Sequence, residues 1–318
     1  MHHFRSVHDV TNVPDLLKLA SACKLNPRAN DNLGSGKRMG LIFLNPSMRT
    51  RLSTQIAARN LGIEPIIFDL GQEGWQLELE DGVVMNGTSV EHIRDAAPIL
   101  GAYFDLIGIR CFPGLKDRDK DYSELLLDQL SKYAGVPIIS LESTTLHPLQ
   151  SLADLLTISE TWKLDRKPKI VLAWAPHIKP LPQCVANSFA QWVCGWEDCD
   201  FTITHPPGYA LDPQFTVNAH YEEDLQEALV GADYVYVKNW SSYEHYGNMP
   251  PVRGDWMLTQ KRLQASNNAR IMHCLPVRRN VELPDEILDS PSSLIQQQAE
   301  NRVWAAQAVL TKILQENT

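Results

Sequence analysis

Short apolar runs recur along this chain, and each is followed by a stretch with helical periodicity. That alternation is the signature of parallel βαβ units, because parallel strands buried on both faces read as unbroken hydrophobic runs joined by crossover helices. Residues 39–44, 65–68, 105–110 and 137–141 read as strands, with helices expected over 50–60, 92–101 and 123–133. A second set follows a helix over 149–162. Its strands are expected at 169–174, 200–204, 233–237 and 269–274, its helices at 183–196 and 222–230, and 206–208 is a turn. The tail, 294–314, reads as one long amphipathic helix. The fold class expected is therefore α/β, with two doubly wound parallel-sheet domains. Their expected bounds are 1–147 and 148–298, with 299–318 as a C-terminal helix.

The 318 residues, 44% of them hydrophobic, suffice for two such domains. Lys and Arg total 29 against 38 Asp and Glu, a net charge of −9. An acidic chain can bind an anion only through local groups, so nucleic acid is not an expected partner. The start, Met1-His2-His3-Phe4-Arg5, leads into no signal-length apolar run, and no stretch reaches membrane-spanning length. A soluble, cytoplasmic protein without membrane partners is expected. The six cysteines (Cys23, Cys111, Cys184, Cys194, Cys199, Cys274) show neither a C-x-x-C pair nor zinc-ligand spacing, so reduced thiols and no metal are expected.

In open α/β sheets, ligands collect at the carboxyl ends of strands. Four polar clusters fall there. Asn45-Pro46-Ser47-Met48-Arg49-Thr50-Arg51 lies between a strand and a helix. A helix start offers free N–H groups and the positive end of a dipole, Ser47 and Thr50 add hydroxyls, and Arg49 adds a bidentate donor suited to phosphate. An ordinary capped helix with exposed arginines would look the same in isolation. Arg110-Cys111-Phe112-Pro113 ends another strand, and alone its arginine could be a surface charge. His147-Pro148-Leu149-Gln150-Ser151-Leu152-Ala153-Asp154 again joins strand to helix. His273-Cys274-Leu275-Pro276-Val277-Arg278-Arg279-Asn280 ends the last strand. A nicotinamide-type oxidoreductase would instead need a glycine-rich turn after a strand, and Gly34-Ser35-Gly36 precedes one.

Taken together, the S-x-R-T-R, H-P-x-Q-x-x-x-D and H-C-L-P segments, with Ala299-Glu300-Asn301-Arg302, stand in the order and approximate spacing of the aspartate/ornithine transcarbamylases, which the chain resembles over nearly its whole length. The resemblance implies a carbamoyl-phosphate domain, an amino-acid domain, a last helix packing back on the first, no cofactor, and a homotrimer with shared active sites. It further implies that Ser47, Met48, Arg49 and Thr50 hold the phosphate. Thr50, Arg110 and His147 would surround the carbamoyl oxygen, Gln150 would hold the carbamoyl amide, and Cys274, Leu275 and Arg302 would complete the pocket. A non-catalytic relative kept as a scaffold would be expected to have lost Arg49, His147 or Arg302, and all three are present.

Departures from the ornithine pattern bear on the acceptor. Where ornithine enzymes place an aspartate that pairs with an α-ammonium, this chain has Lys238-Asn239-Trp240. A lysine repels an α-ammonium but tolerates an acylated, neutral α-nitrogen. The run Val277-Arg278-Arg279-Asn280 resembles the branch that acts on N-acylated ornithines. In that branch Glu142, Lys238 and Arg278 match positions contacting the acyl amino acid, and a tryptophan matching Trp75 reaches the neighbouring subunit's site. The acetylornithine enzymes close the acyl pocket with a glutamate where this chain has Val90, and carry a lysine where it has Glu282. Loss of that glutamate favours a longer, anionic succinyl group. His177 and Lys179, at another strand end, are expected near the acyl end. The expected substrates are carbamoyl phosphate and N-succinylornithine, with N-acetylornithine as the alternative.

Overall fold

The computed structural model describes residues 1–317, which cluster into two units, 1–149 with 302–317 and 150–301. In chain order, the first unit contains α1 (Val13–Leu25), β1 (Arg38–Phe43), α2 (Met48–Asn60), β2 (Glu64–Asp69), α3 (Leu70–Glu73), β3 (Leu77–Glu78), β4 (Glu91–His92), α4 (Ile93–Tyr103), β5 (Leu106–Arg110), α5 (Arg118–Tyr122), α6 (Leu125–Tyr133) and β6 (Ile138–Glu142). Its main sheet is wholly parallel in the order β2-β1-β5-β6, and Phe4 adds a bridge to Ile139. The chain leaves β1 in one direction to form β2 and returns to β1's other side with β5. The strand order therefore reverses between β1 and β5, where Phe43 stands in register with Arg110. Ile42, Ile93, Ala97, Ile107, Ile109, Leu127, Leu130 and Ile138 form the core beneath α4 and α6.

The second unit holds most of α7 (Pro148–Thr161), then β7 (Lys169–Trp174), α8 (Cys184–Cys194), β8 (Asp200–Thr204), β9 (His220–Glu222), α9 (Leu225–Ala228), β10 (Tyr234–Lys238), α10 (Gln260–Leu263), β11 (Arg270–Met272), α11 (Asp285–Leu288) and the start of α12 (Ile295–Glu316). Its sheet is also wholly parallel, β11-β10-β7-β8-β9, and the order reverses between β7 and β10.

The α/β class and the principal strands are as expected from the sequence, with bounds shifted by one or two residues. The helix expected over 222–230 is shorter. His220–Glu222 pair with β8 instead, and only Leu225–Ala228 turns helical behind the Asp224 cap. The helix expected over 123–133 is present but starts at Leu125, because Glu124, at a φ of 51°, cannot be part of a right-handed helix and separates α5 from α6. Helix α1 carries a cap that sequence periodicity did not expose, with Asn12 accepting from Asp15 N and Pro14 in the first turn. None of the six cysteines is in a disulfide, and burial raises the pKa of Cys194 to about 11 and of Cys199 to about 12. Among the described residues no cluster of His, Cys, Asp or Glu could hold a metal, and no helix is long and apolar enough to cross a membrane.

Candidate functional site

Each unit gathers polar side chains at the carboxyl edge of its sheet, beside its switch point. In the first unit, β1 ends at Phe43 and the chain turns through Asn45 and Pro46 into α2. Ser47 caps α2 by accepting from Thr50 N at 3.3 Å, which fixes the first turn with the N–H groups of Met48 and Arg49 at the helix start. Arg49 Nε is buried without a hydrogen-bond partner in the protein.

Arg110 ends β5 and is buried against Glu142, which ends β6. Both its Nε and Nη2 lie 3.0 Å from Glu142 Oε2, and Nη1 donates to the carbonyls of Asn45 at 2.8 Å and Pro46 at 2.9 Å. The guanidinium stacks 4.0 Å from the Phe112 ring. Asn45 also accepts from Phe112 N at 2.7 Å, so the ends of β1 and β5 are tied by both side chains.

Arg302, on α12, donates through Nη2 to Thr50 Oγ1 at 2.5 Å and lies 3.4 Å from His147 Nε2. His147 is 3% exposed. Burial, reinforced by the charges of Arg302 and Arg110, holds its pKa well below the ordinary 6.5, so the ring is neutral. Glu142 Oε2 lies 3.7 Å from Nε2, and Nδ1 has no partner within the protein. Among Arg49, Arg110, Glu142, His147 and Arg302 there are three guanidiniums and one carboxylate. The excess is cationic on an otherwise acidic chain, and it is concentrated at a helix start.

In the second unit, Gln150 Nε2 donates to Asp154 Oδ1 at 2.7 Å, one helical turn along α7, and Gln150 Oε1 is buried with no partner. Asp154 Oδ1 also accepts from Gln298 at 2.7 Å, and Gln298 Oε1 accepts His273 N at 2.9 Å. This relay fixes the H-C-L-P turn to α7. Within the turn, Leu275 N donates to His273 Nδ1 at 2.9 Å, so the ring proton sits on Nε2 and points to Glu282 Oε1, 3.4 Å away. Glu282 Oε2 accepts Arg278 N at 2.8 Å. Burial works to raise the Glu282 pKa, but the hydrogen bond from His273, the Lys238 charge and the bond from Arg278 N outweigh it and lower it below the ordinary carboxylate value.

Lys238 is buried at the end of β10, in register with Trp174 at the end of β7. Arg278 Nε donates to His177 Nε2 at 3.1 Å, and His177 Nδ1 lies 2.8 Å from Lys179 O. Lys179 itself is exposed.

Of the residues singled out from the sequence, Ser47, Met48, Arg49, Thr50, Arg110, Glu142, His147 and Arg302 gather in the first unit, with Glu142 on Arg110. Gln150, Lys238, Cys274, Leu275, Arg278, His177 and Lys179 lie in the second. Trp75 and Val90 join neither group. They stand near one another where β3 pairs with β4, Val90 N donating to Gln76 O at 3.0 Å, Trp75 Nε1 donating to Glu91 at 2.9 Å, and Val90 67% exposed. Asn45 and Gln298 were given no role from the sequence, and Asp154 and Glu282 were noted there without the structural roles they have. Asp154 was within reach of sequence reasoning, since a carboxylate four residues after Gln150 must share its helix face. Gln298 acts through partners distant in sequence, and Glu282 through the turn that precedes it.

Comparison with known proteins places both units. Residues 2–160 match the family model described as aspartate/ornithine carbamoyltransferase, carbamoyl-P binding domain, and residues 185–313 match its Asp/Orn binding domain. The chain is 44% identical over 317 residues to the N-succinylornithine carbamoyltransferase of Bacteroides thetaiotaomicron, covering 99% of each chain. It is 35% identical to the N-acetylornithine carbamoyltransferase of Xanthomonas campestris, covering 99% of this chain and 98% of that one. Among solved structures, it superimposes at a TM-score of 0.91 on a glutamate-to-valine mutant of N-acetyl-L-ornithine transcarbamylase complexed with carbamyl phosphate and N-succinyl-L-norvaline. That match has 34% identity and covers 98% of this chain and 100% of the other.

Proposed function

Because the chain belongs to the aspartate/ornithine carbamoyltransferase family, we propose that it transfers the carbamoyl group of carbamoyl phosphate to the side-chain amine of N-succinyl-L-ornithine, giving N-succinyl-L-citrulline and phosphate. The observation that carries the donor half is the linked set Ser47–Thr50, Arg110, His147 and Arg302, in which Arg302 bonds Thr50 and the imidazole is neutral. Attack of the amine on the carbamoyl carbon moves charge onto its oxygen, and the bond to the phosphate oxygen then breaks. Fixed donors from Thr50, Arg110 and His147 favour the first event, at roughly 3–4 kcal/mol for each well-placed donor. Arg49, Ser47 and the α2 start receive the departing phosphate. A neutral imidazole serves here as an N–H donor and adds no charge of its own. No side chain need form a covalent intermediate, and holding two substrates in line supplies much of the remaining acceleration.

Lys238 supports an acylated acceptor. A buried ammonium beside Glu282 suits a carboxylate and a neutral α-nitrogen, and opposes a free α-ammonium. Val90 supports succinyl over acetyl, since it brings no negative charge to meet the succinate carboxylate. In this reading Glu142, Arg278, His177 and Lys179 serve the acyl amino acid. Trp75 and Val90 serve the site of a neighbouring subunit in a cytoplasmic homotrimer, which suits two exposed apolar side chains outside their own unit's cluster. Arginine biosynthesis is the setting that such a product fits. Incubating the enzyme with carbamoyl phosphate and, separately, N-succinylornithine, N-acetylornithine or ornithine, then measuring citrulline products, tests it. Preference for acetylornithine overturns the succinyl assignment, and preference for ornithine overturns the argument from Lys238. A solution mass other than three chains overturns the trimer.

A further inference from the structure

His147 is delivered by the turn 143–146, between β6 and α7, and that turn hangs from one carboxylate outside the cluster. Glu124 Oε1 accepts Ser143 Oγ at 2.5 Å, Thr145 N at 2.8 Å and Thr145 Oγ1. The turn closes on itself through Ser143 N to Leu146 O at 2.8 Å and Leu146 N to Ser143 Oγ at 3.1 Å. Three residues earlier, Asp121 does a matching task on the neighbouring loop. Its carboxylate accepts Gly114 N at 2.9 Å and Leu115 N at 2.8 Å, and its carbonyl accepts Thr144 Oγ1 at 2.5 Å. The α5–α6 corner thus grips both segments that leave the ends of β5 and β6, one after Arg110 and the other before His147.

The backbone shows that helix capping does not explain Glu124. It occupies the N-cap position of α6 yet makes no side-chain cap bond, and it sits at φ 51°, ψ 30°. A left-handed backbone is costly for a residue with a Cβ, and asparagine or glycine would hold it more cheaply. A non-glycine residue kept there, with its carboxylate turned from the helix to the turn, marks an over-determined geometry of the kind that accumulates around functional groups. Its other oxygen, Oε2, is buried without a partner, so the site is built around the acceptor at Oε1.

We propose that Glu124 is a positioning residue for carbamoyl transfer, fixing the Ser143–Leu146 turn so that the His147 imidazole is presented to the carbamoyl oxygen. This rests on the carbamoyl-phosphate reading of the first unit. Glu124 touches no reacting atom and acts through the turn. Asp121 assists by holding the Arg110 side of the same corner.

The test compares E124A with E124Q in the full-length enzyme. A glutamine can place its amide oxygen where Oε1 accepts three bonds and its NH₂ where Oε2 has no partner. E124A should lose about tenfold or more in kcat, with KM for carbamoyl phosphate changed by no more than about twofold, because the phosphate grip at α2 is untouched. E124Q should restore most of the loss. A double variant, S143A with T145V, removes donors instead of the acceptor and should reproduce E124A, which keeps the test alive should E124A fail to fold. The His147 imidazole resonance, assigned by its loss in H147Q, should move in E124A and the double variant and stay in place in E124Q. An unmoved resonance in both disrupted variants overturns the proposal. So does a kcat within about twofold of wild type, or an E124Q as impaired as E124A with kcat and KM damaged together. The resonance needs no turnover. A wild-type enzyme that releases no phosphate therefore refutes the substrate reading, while the clamp is still decided by the imidazole.

Discussion

The buried neutral histidine makes a quantitative prediction about stability. In the unfolded chain His147 titrates near the ordinary 6.5, whereas in the folded protein burial, Arg302 and Arg110 hold it well below that value. Between the two values the unfolded chain binds a proton that the folded chain does not. Stability therefore rises with pH in that window and is lost as pH falls below 6.5. Well inside the window the slope is about 1.4 kcal/mol per pH unit for one proton, which integrates to at most about 2 kcal/mol between pH 7 and pH 5. The ordered partners beside Nε2 make relief by local movement costly, since Arg302 is also engaged with Thr50 and Glu142 with Arg110.

H147Q keeps a polar side chain of similar reach but cannot titrate. Urea unfolding followed by tryptophan fluorescence at pH 5, 6, 7 and 8 gives stability against pH for both proteins. The variant shifts the whole curve, and the informative quantity is the difference in slope. Wild type should lose more than H147Q on going from pH 7 to pH 5, by up to about 2 kcal/mol. Other histidines, including His205, whose pKa burial also lowers, contribute equally to both curves and cancel. Parallel curves would mean that the folded protein accepts a proton on His147 as readily as the unfolded chain. The neutral-donor role assigned to the imidazole would then fall with them.

V90E should move the ratio of kcat/KM for succinyl- over acetylornithine down by about tenfold, a like-charge penalty of roughly 1–2 kcal/mol, and an unchanged ratio in paired assays would remove residue 90 from the acyl pocket. T50V, nearly isosteric, removes the acceptor of Arg302 Nη2 and one hydroxyl donor, so phosphate release should slow by about 10²-fold with the fold intact by circular dichroism. D233N acts at the opposite edge of the second sheet, where Asp233 accepts Arg166 twice, Lys169 N and Asn267. It should lower stability by about 1–3 kcal/mol and leave kcat unchanged, and a kcat loss would contradict a purely structural role.

Much of this was legible in the residues because strand ends announce themselves. An apolar run that stops at a polar cluster locates the carboxyl edge of a sheet, and the clusters after β1, β5 and β6 did converge in one unit. The strand order, and with it the switch points, was not legible, since periodicity reports that a strand exists and is silent about its neighbours. Glu124 shows a second limit. Its stretch has good helical periodicity, yet Glu124 is left-handed and bonded to Ser143 and Thr145, so the helix starts only at Leu125. Asn45 and Gln298 escaped for the opposite reason. Their roles lie in bonds to Arg110, Phe112, His273 and Asp154, and sequence distance hides such partners. Trp75 and Val90 were identified through a pattern shared with a family, and no regularity within this chain marks them.

The choice of arginine at the end of β5 follows from donor accounting. A guanidinium carries five N–H groups in a rigid plane, and a lysine carries three on a rotating ammonium. At Arg110 one N–H goes to Glu142 through Nε, two go to the carbonyls of Asn45 and Pro46 through Nη1, and one of Nη2 faces Glu142 again. That leaves one Nη2 donor, fixed in direction by the other four. A lysine could anchor or donate, but three bonds spent on the same anchors would leave nothing for a developing oxyanion. The same economy accounts for Glu142 beside a cation proposed to meet the substrate. Its charge lowers the net attraction for an anion, yet it makes the remaining donor a preorganised one, and preorganisation acts on the transition state where simple attraction acts equally on the ground state. Arg302 is divided in the same way, with Thr50 as its anchor and His147 as its neighbour. On the proposed reading, selectivity for a carbamoyl oxygen therefore lies in donors whose directions are already fixed, since positive charge alone would bind many anions without accelerating any reaction.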